Sequence, residues 1–132
     1  MSGVGKASLA SLYRDYIACL NGRDWCALGQ FVDDEVHHNG RPLGLSGYRA
    51  MLESDYAQIP DLRYAIDILV ADPPRLAARL RFDVTPKGEF LGLPVNGRRV
   101  AFSENVFYQF LSGRIREVWS VIDKSAIEAQ LR

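Results

Sequence analysis

The chain is short of the residues that most often announce a function. Of its 132 residues two are cysteines and two are histidines, and sixteen lysines and arginines are matched by sixteen aspartates and glutamates. With no net charge and no run of like charges, there is no electrostatic footprint for nucleic acid or an anionic membrane surface. Cys19 and Cys26 stand seven positions apart, with no C-x-x-C and no ligand-like spacing to His37 and His38, which argues against a disulfide and against a zinc site. No apolar run reaches membrane-spanning length, and the opening M-S-G-V-G-K-A-S lacks the apolar core of a signal peptide, so a cytoplasmic protein is expected. These absences leave a small molecule or another protein as the partner.

The length suits one domain, residues 1–132, able to bury about two-thirds of the surface its unfolded form would expose. Leu9, Leu12, Tyr13, Tyr16, Ile17 and Leu20 recur at helical spacing and predict a helix over 6–20, stopped by a left-handed Asn21-Gly22. Asp24 is placed to cap a short second helix carrying Trp25, Leu28, Phe31 and Val32, before a brief strand through Glu35-Val-His-His-Asn39. Ser46 can cap a third helix, on which Tyr48, Met51, Leu52, Asp55 and Ile59 share one face; an aspartate there interrupts an apolar stripe.

Beyond Pro60 the period changes to two. Leu62, Tyr64, Ile66, Ile68 and Val70 alternate with Arg63, Ala65, Asp67 and Leu69, A-D-P-P turns the chain, and Leu76, Ala78, Leu80, Phe82 and Val84 answer on a second strand. A Gly- and Pro-rich excursion comes next, of the kind that often serves as a lid. Strands from 100 to 111 and from 114 to 122 then form a hairpin about Ser112-Gly113, with a short helix to finish. Helices first and antiparallel strands after them give an α+β class.

V-W-S-V-I-D, Val118 to Asp123, ends an apolar strand on a carboxylate with no evident cationic partner. Asp123 could cap the last helix. Ser125-Ala-Ile-Glu128, however, is an S-x-x-E capping box that would start that helix two residues later and free Asp123 for another task. Strand alternation puts Trp119, Val121 and Asp123 on one face, where the indole would desolvate the carboxyl and raise its pKa into a range useful for proton transfer. A two-residue hairpin loop pairs Val106 with Trp119; a three-residue loop with a bulge at Gly113 pairs Asn105 with Trp119. The second register is preferred, because it brings Asn105 and Ser103 to the face of Asp123 and sends Glu104 and Tyr108 to the other. His37 and His38 lie on alternate faces of their strand, so at most one can reach a given pocket. Asp55 reads more simply as a solvated helix-face carboxylate, and Tyr13, Tyr16, Tyr48, Trp25 and Met51 as core.

Three stretches together resemble the SnoaL-like polyketide cyclases of the NTF2-like superfamily: F-L-G-L-P-V-N-G-R-R-V (Phe90 to Val100), E-N-V-F-Y-Q-F-L-S-G-R-I (Glu104 to Ile115) and V-W-S-V-I-D. The opening helices, V-H-H-N and I-P-D (Ile59 to Asp61) fall in the family's order, while Leu93-Pro94-Val95-Asn96-Gly97 stands where the family's usual turn is P-P-T-G. The resemblance implies an NTF2-like cone, a curved antiparallel sheet wrapped by N-terminal helices around a deep, mostly apolar pocket. It also implies an intramolecular aldol-type closure of a polyketide ester with no metal and no cofactor, in which the aspartate matching Asp123 is the general acid/base.

The function expected is therefore that of a cofactor-independent cyclase acting on a hydrophobic, carbonyl-bearing small molecule. Asp123 would move the proton, Asn105 and His38 would bind or polarise the oxygen, Trp119 would keep Asp123 dry, and Tyr16, Tyr48 and Met51 would line the substrate site. An isomerase or epoxide hydrolase would use the same parts. The rival expectation is a non-catalytic module that binds a small ligand or mediates dimerisation, since fold alone decides no function. A homodimer is expected through the outer face of the sheet, by way of Val106, Tyr108 and Val118.

Overall fold

The computed structural model of the protein describes residues 5–132; residues 1–4, the start of the stretch considered for a leader, lie outside them. Helix α1, Lys6–Asn21, buries Leu9, Tyr13, Tyr16, Ile17 and Leu20 at the spacing the sequence predicts. Its stop differs from expectation. Gly22 keeps a right-handed φ of −83° and its N–H still bonds to Ala18 O, so the left-handed residue is Arg23, at φ +53°. A non-glycine is held there by its side chain, whose guanidinium lies 4.2 Å from the Tyr56 ring centre and donates to Pro60 O.

Trp25–Gln30 form a 3-10 helix that Asp24 does not cap through its side chain. Strand β1, Val32–His38, turns back through left-handed Asn39 and Gly40 into the two-residue β2, Arg41–Pro42. Helix α2, Gly44–Gln58, begins ahead of Ser46 and has no side-chain cap. Then come β3, Ala65–Asp72, β4, Arg75–Val84, the small β5, Glu89–Phe90, and β6, Leu93–Pro94, and finally the long β7, Val100–Leu111, β8, Arg114–Ile122, and helix α3, Lys124–Leu131.

Six strands make one sheet in the order β2-β1-β8-β7-β4-β3. The neighbours are antiparallel except β1 and β8, which run parallel, so the sheet is mixed where an antiparallel one was expected. It is curved, and with the helices it forms the expected α+β cone, whose inner face carries the core.

Two bulges decide which side chains that inner face receives. In β3, Ile66 pairs with Leu80 but Ile68 pairs with Arg79, so Asp67 is the extra residue. The expected single face from Leu62 to Val70 is thereby broken: Leu62 and Tyr64 are buried, whereas Ile68 and Val70 are 51% and 57% exposed. In β8, Phe110 pairs with Ile115 and Gln109 with Glu117, which leaves Arg116 unopposed. The turn itself is the two-residue Ser112-Gly113, both left-handed as a tight hairpin requires. Neither register expected from the sequence holds: past the bulge Phe107 faces Trp119, Asn105 faces Val121 and Val106 faces Ser120. Asn105 does share a face with Trp119 and Val121, but that face is the outside of the sheet.

The joint between α1 and the sheet rests on Asn21, whose amide donates to Tyr64 O at 2.9 Å and accepts from Tyr64 N at 2.7 Å. Asn21→Ala should therefore strand two partly buried backbone groups and cost about 1–3 kcal/mol in denaturant unfolding. A change of a few tenths would show that the joint is not a structural anchor.

Candidate active site

Inside the cone lies a cavity of about 220 Å3. A single water needs only ~10–15 Å3 of such space, so the cavity can admit an organic ligand. Its walls are mostly apolar: Leu20 from α1, Met51 and Leu52 from α2, Leu80 and Phe82 from β4, Phe102 and Val106 from β7, and Val118 and Ile122 from β8. Into this lining project two carboxyls, Asp55 and Glu104, one imidazole, His38, one hydroxyl, Ser120, and the phenols of Tyr16, Tyr48, Tyr64 and Tyr108. No lysine or arginine is among the lining residues.

Each polar group arrives by the periodicity of its element. On β7, Val100, Phe102, Glu104, Val106, Tyr108 and Phe110 all point inward, and the glutamate alone interrupts an apolar series. Burial raises its carboxyl to about 7, against a hydrogen bond from the Ser120 hydroxyl that lowers it, and the nearby Asp55 raises it further. Asp55, on the pocket face of α2, is pushed by burial to about 6. His38 ends β1 half-buried; desolvation first, then Arg41, hold its imidazole below the usual range and so neutral near pH 7. Its Nε2 lies 3.3 Å from Ser120 Oγ. His37 faces away and pairs with Glu117 at 2.8 Å.

The tyrosines pair among themselves. Tyr16 and Tyr48 hydroxyls are 2.7 Å apart, and those of Tyr13 and Tyr108 are 2.9 Å apart. Burial holds all four phenols well above their ordinary range, so they remain neutral donors. A hydroxyl pair spends one O–H on itself and keeps the other, and the Tyr16–Tyr48 pair keeps its spare donor at the cavity wall.

The β5–β6 hairpin, within the excursion expected to serve as a lid, borders the cavity through Phe90 and Leu91. Leu91 and Gly92 form its turn with φ of +54° and +76°, and Leu91 reaches the pocket while remaining 39% exposed. The hairpin is moored to the end of α2, because the Gln58 amide donates to Glu89 O and Lys87 N donates to Gln58 O.

Asp123 is elsewhere. It is exposed, lies outside the cavity lining, and accepts a hydrogen bond from Ala126 N at 3.2 Å as the N-cap of α3. The helix starts at Lys124, so Ser125 falls within its first turn and cannot act as the cap of the predicted box. Trp119 and Val121 are 42% and 71% exposed, and Asn105 is exposed beside them, so the indole shields no carboxylate. Val106, Tyr108 and Val118, expected on the outer surface, are buried in the pocket. Of the residues singled out from sequence, the structure brings His38, Tyr16, Tyr48 and Met51 into the cavity and leaves Asp123, Asn105 and Trp119 out. Glu104 and Ser120 were missed; the charge within the apolar series of β7 was the signal that could have found the first. Among the described residues no three His, Cys, Asp or Glu side chains converge as metal ligands. No helix among them is long and apolar enough to cross a membrane.

Comparison with known proteins agrees with this architecture. The family model for SnoaL-like polyketide cyclases matches residues 10–131. A SnoaL-like polyketide cyclase from Agrobacterium tumefaciens shares 60% identity over 94% of this chain and 98% of its own, with a TM-score of 0.93. TsrD from Streptomyces laurentii shares 25% identity over 98% of both chains, with a TM-score of 0.84. IdmH from Streptomyces antibioticus, at 21% identity over 93% of this chain and 97% of its own, has the same fold with a TM-score of 0.80. No curated protein matches the chain. A family model spanning nearly the whole sequence, on a cone with an apolar, carboxyl-bearing pocket, makes this chain a member of the SnoaL-like polyketide cyclase family.

Proposed function

We propose that the chain is a cyclase-type enzyme in which Glu104 is the general acid/base for a hydrophobic, carbonyl-bearing small molecule. The observation that carries this reading is the Glu104 carboxyl itself, inside an apolar cavity and poised near 7, where one group can both take and return a proton at neutral pH. In the reaction, the Glu104 carboxylate removes a proton from the carbon beside a carbonyl. The enolate oxygen is met by the spare O–H of the Tyr16–Tyr48 pair. The enolate carbon attacks a second carbonyl of the same molecule, a carbon–carbon bond forms, and the new alkoxide takes its proton from Glu104. Atoms balance with every proton moving between substrate and Glu104, so the sequence as written draws on no cofactor. Asp55 tunes the base: its negative charge makes a second charge in the cavity more costly, which holds the Glu104 proton more tightly. Met51 and the aromatic walls supply the apolar grip.

We further propose a homodimer, through a different set of residues from that expected at first. Phe107, Trp119 and Val121 lie together on β7 and β8, and Ile68 and Val70 lie on β3, all on the outer face and all more than 40% exposed. An apolar area of this kind on the outside of a sheet suits a second copy of the same chain. Sedimentation should give a dimer that Val121→Asp converts to monomer; a monomer mass that does not change with concentration would rule the dimer out.

Two measurements test the site. With 5-nitrobenzisoxazole, a carbon acid opened by a desolvated carboxylate, Glu104→Gln should lower kcat/KM by roughly 10²-fold or more, while Asp123→Asn leaves it within about twofold. The wild-type rate should rise with pH around a midpoint near 7. If Asp123→Asn carried the loss instead, the role would return to Asp123; binding without turnover would favour the ligand-binding module. The second test is stability. Glu104 has a raised folded-state pKa, so the fold is favoured below about 4.5, loses that advantage as pH rises, and levels off above about 7. The loss is about 3 kcal/mol by proton linkage and should be absent from Glu104→Gln. A wild type and variant with parallel pH profiles would contradict the burial of the carboxyl.

A further inference from the structure

The Ser120 side chain is where the two kinds of titratable group in the cavity meet. Its Oγ lies 3.3 Å from His38 Nε2, and on the inner face of the hairpin Ser120 is the diagonal neighbour of Glu104 in the same cavity wall, where its hydroxyl lowers the pKa of that carboxyl. Its backbone is tied to the residue that follows β1. The Asn39 amide donates to Ser120 O at 3.3 Å and accepts from Ser120 N at 2.8 Å, while Asn39 N donates to Val118 O at 2.8 Å. Asn39 directly follows His38, so one residue ties the histidine strand and the serine strand together at the level of the pocket. That clamp sits in the left-handed region, at φ +49°, a conformation asparagine tolerates better than most side chains.

A serine hydroxyl has one proton to give. When Glu104 is ionised, that proton goes to the carboxylate, and Ser120 Oγ must then accept from His38, which requires the Nε2–H tautomer. When Glu104 is protonated, its O–H can donate to Ser120 Oγ, the serine proton turns to His38 Nε2, and the imidazole carries its own proton on Nδ1. We propose that Ser120 is the positioning residue of this site: set between His38 and Glu104, its hydroxyl orients the carboxylate and ties the ionisation of Glu104 to the tautomer of His38. The inference rests on Glu104 as the base of the proposed reaction and adds what holds that base in register. Through it His38 responds to each proton Glu104 gains or loses without becoming charged.

The other groups around this line have fixed or separable behaviour. Tyr48 and Asp55 face it from α2, Tyr13 lies behind it on α1, Tyr64 borders it from the segment before β3, and Arg41 stands beside His38 on β2. The tyrosines stay neutral at neutral pH, Arg41 stays charged, and Asp55 adds its own titration near 6. Asp55→Asn removes that titration from the record and leaves the Ser120 line intact.

The test is a 15N NMR titration of the His38 imidazole in the full chain, alongside the Glu104 side-chain carboxyl carbon. Charging of an imidazole moves both nitrogens toward the same protonated value, whereas a change of tautomer moves them in opposite directions. In the wild type the two His38 nitrogens should move oppositely with the midpoint of Glu104, near 7, and in Asp55→Asn they should still move oppositely with the Glu104 midpoint, which is lower there because the Asp55 charge is gone. Ser120→Ala should abolish that movement and raise the Glu104 midpoint, since the carboxylate loses a donor, and Ser120→Thr should restore both. If Glu104 titrates near 7 while His38 keeps one tautomer, or if Ser120→Ala leaves the coupled movement in place, the positioning role is overturned and the proposed base survives. If Glu104 titrates in the ordinary carboxylate range, it is the proposed base that fails.

Discussion

One extra residue in β8 sets the identity of the whole site. Alternation from buried Ile115 without interruption would carry Glu117, Trp119, Val121 and Asp123 to the inside of the cone. The bulge at Arg116 reverses this, so Val118, Ser120 and Ile122 face the cavity, opposite Tyr108, Val106 and Glu104 of β7. A slip of one position moves every side chain of a strand to the other face. The inner face as folded receives Phe102, Val106, Tyr108, Phe110, Ile115, Val118 and Ile122, and the outer face keeps Asn105 together with the exposed Phe107, Trp119 and Val121.

Once Glu104 is inside, its chemistry is set by solvation. A carboxylate in an apolar wall loses the water that stabilises its charge, and the Ser120 hydroxyl returns only part of that stabilisation. Asp55, in the same cavity, adds repulsion, and no arginine or lysine lines the cavity to offset either charge. Stability given up to hold two acids in a hydrophobic space is the physical counterpart of a group able to exchange protons at neutral pH.

Much of the fold was legible in the sequence, because long elements have redundant signals. The six apolar positions of α1, the alternation of β4 from Leu76 to Val84 and the Ser112-Gly113 turn each repeat their message several times. Bulges do not. Asp67 and Arg116 are single residues, each of which inverts the facing of every later side chain in its strand, and nothing in their side chains marks them as unpaired. The acid read as catalytic from V-W-S-V-I-D is therefore a helix cap, and the acid on α2 noted as out of place, Asp55, lies in the pocket. The parallel pairing of β1 with β8, which brings His38 beside Ser120, joins segments about eighty residues apart and has no local signature. His38 could be narrowed from the pair His37-His38 only by parity, and its partner could not be read at all.

The proposed role of Glu104 requires a buried acid that exchanges its proton near neutrality. The most direct measurement is pH-difference infrared spectroscopy of the carboxylic C=O stretch, assigned to Glu104 by its disappearance in Glu104→Gln. A buried Glu104 should give a high-frequency band, as for a carboxylic acid in apolar surroundings, that persists below neutrality and is lost with a midpoint near 7. A band lost near the ordinary glutamate value of about 4.3 would place the carboxyl in water and rule Glu104 out as the acid/base.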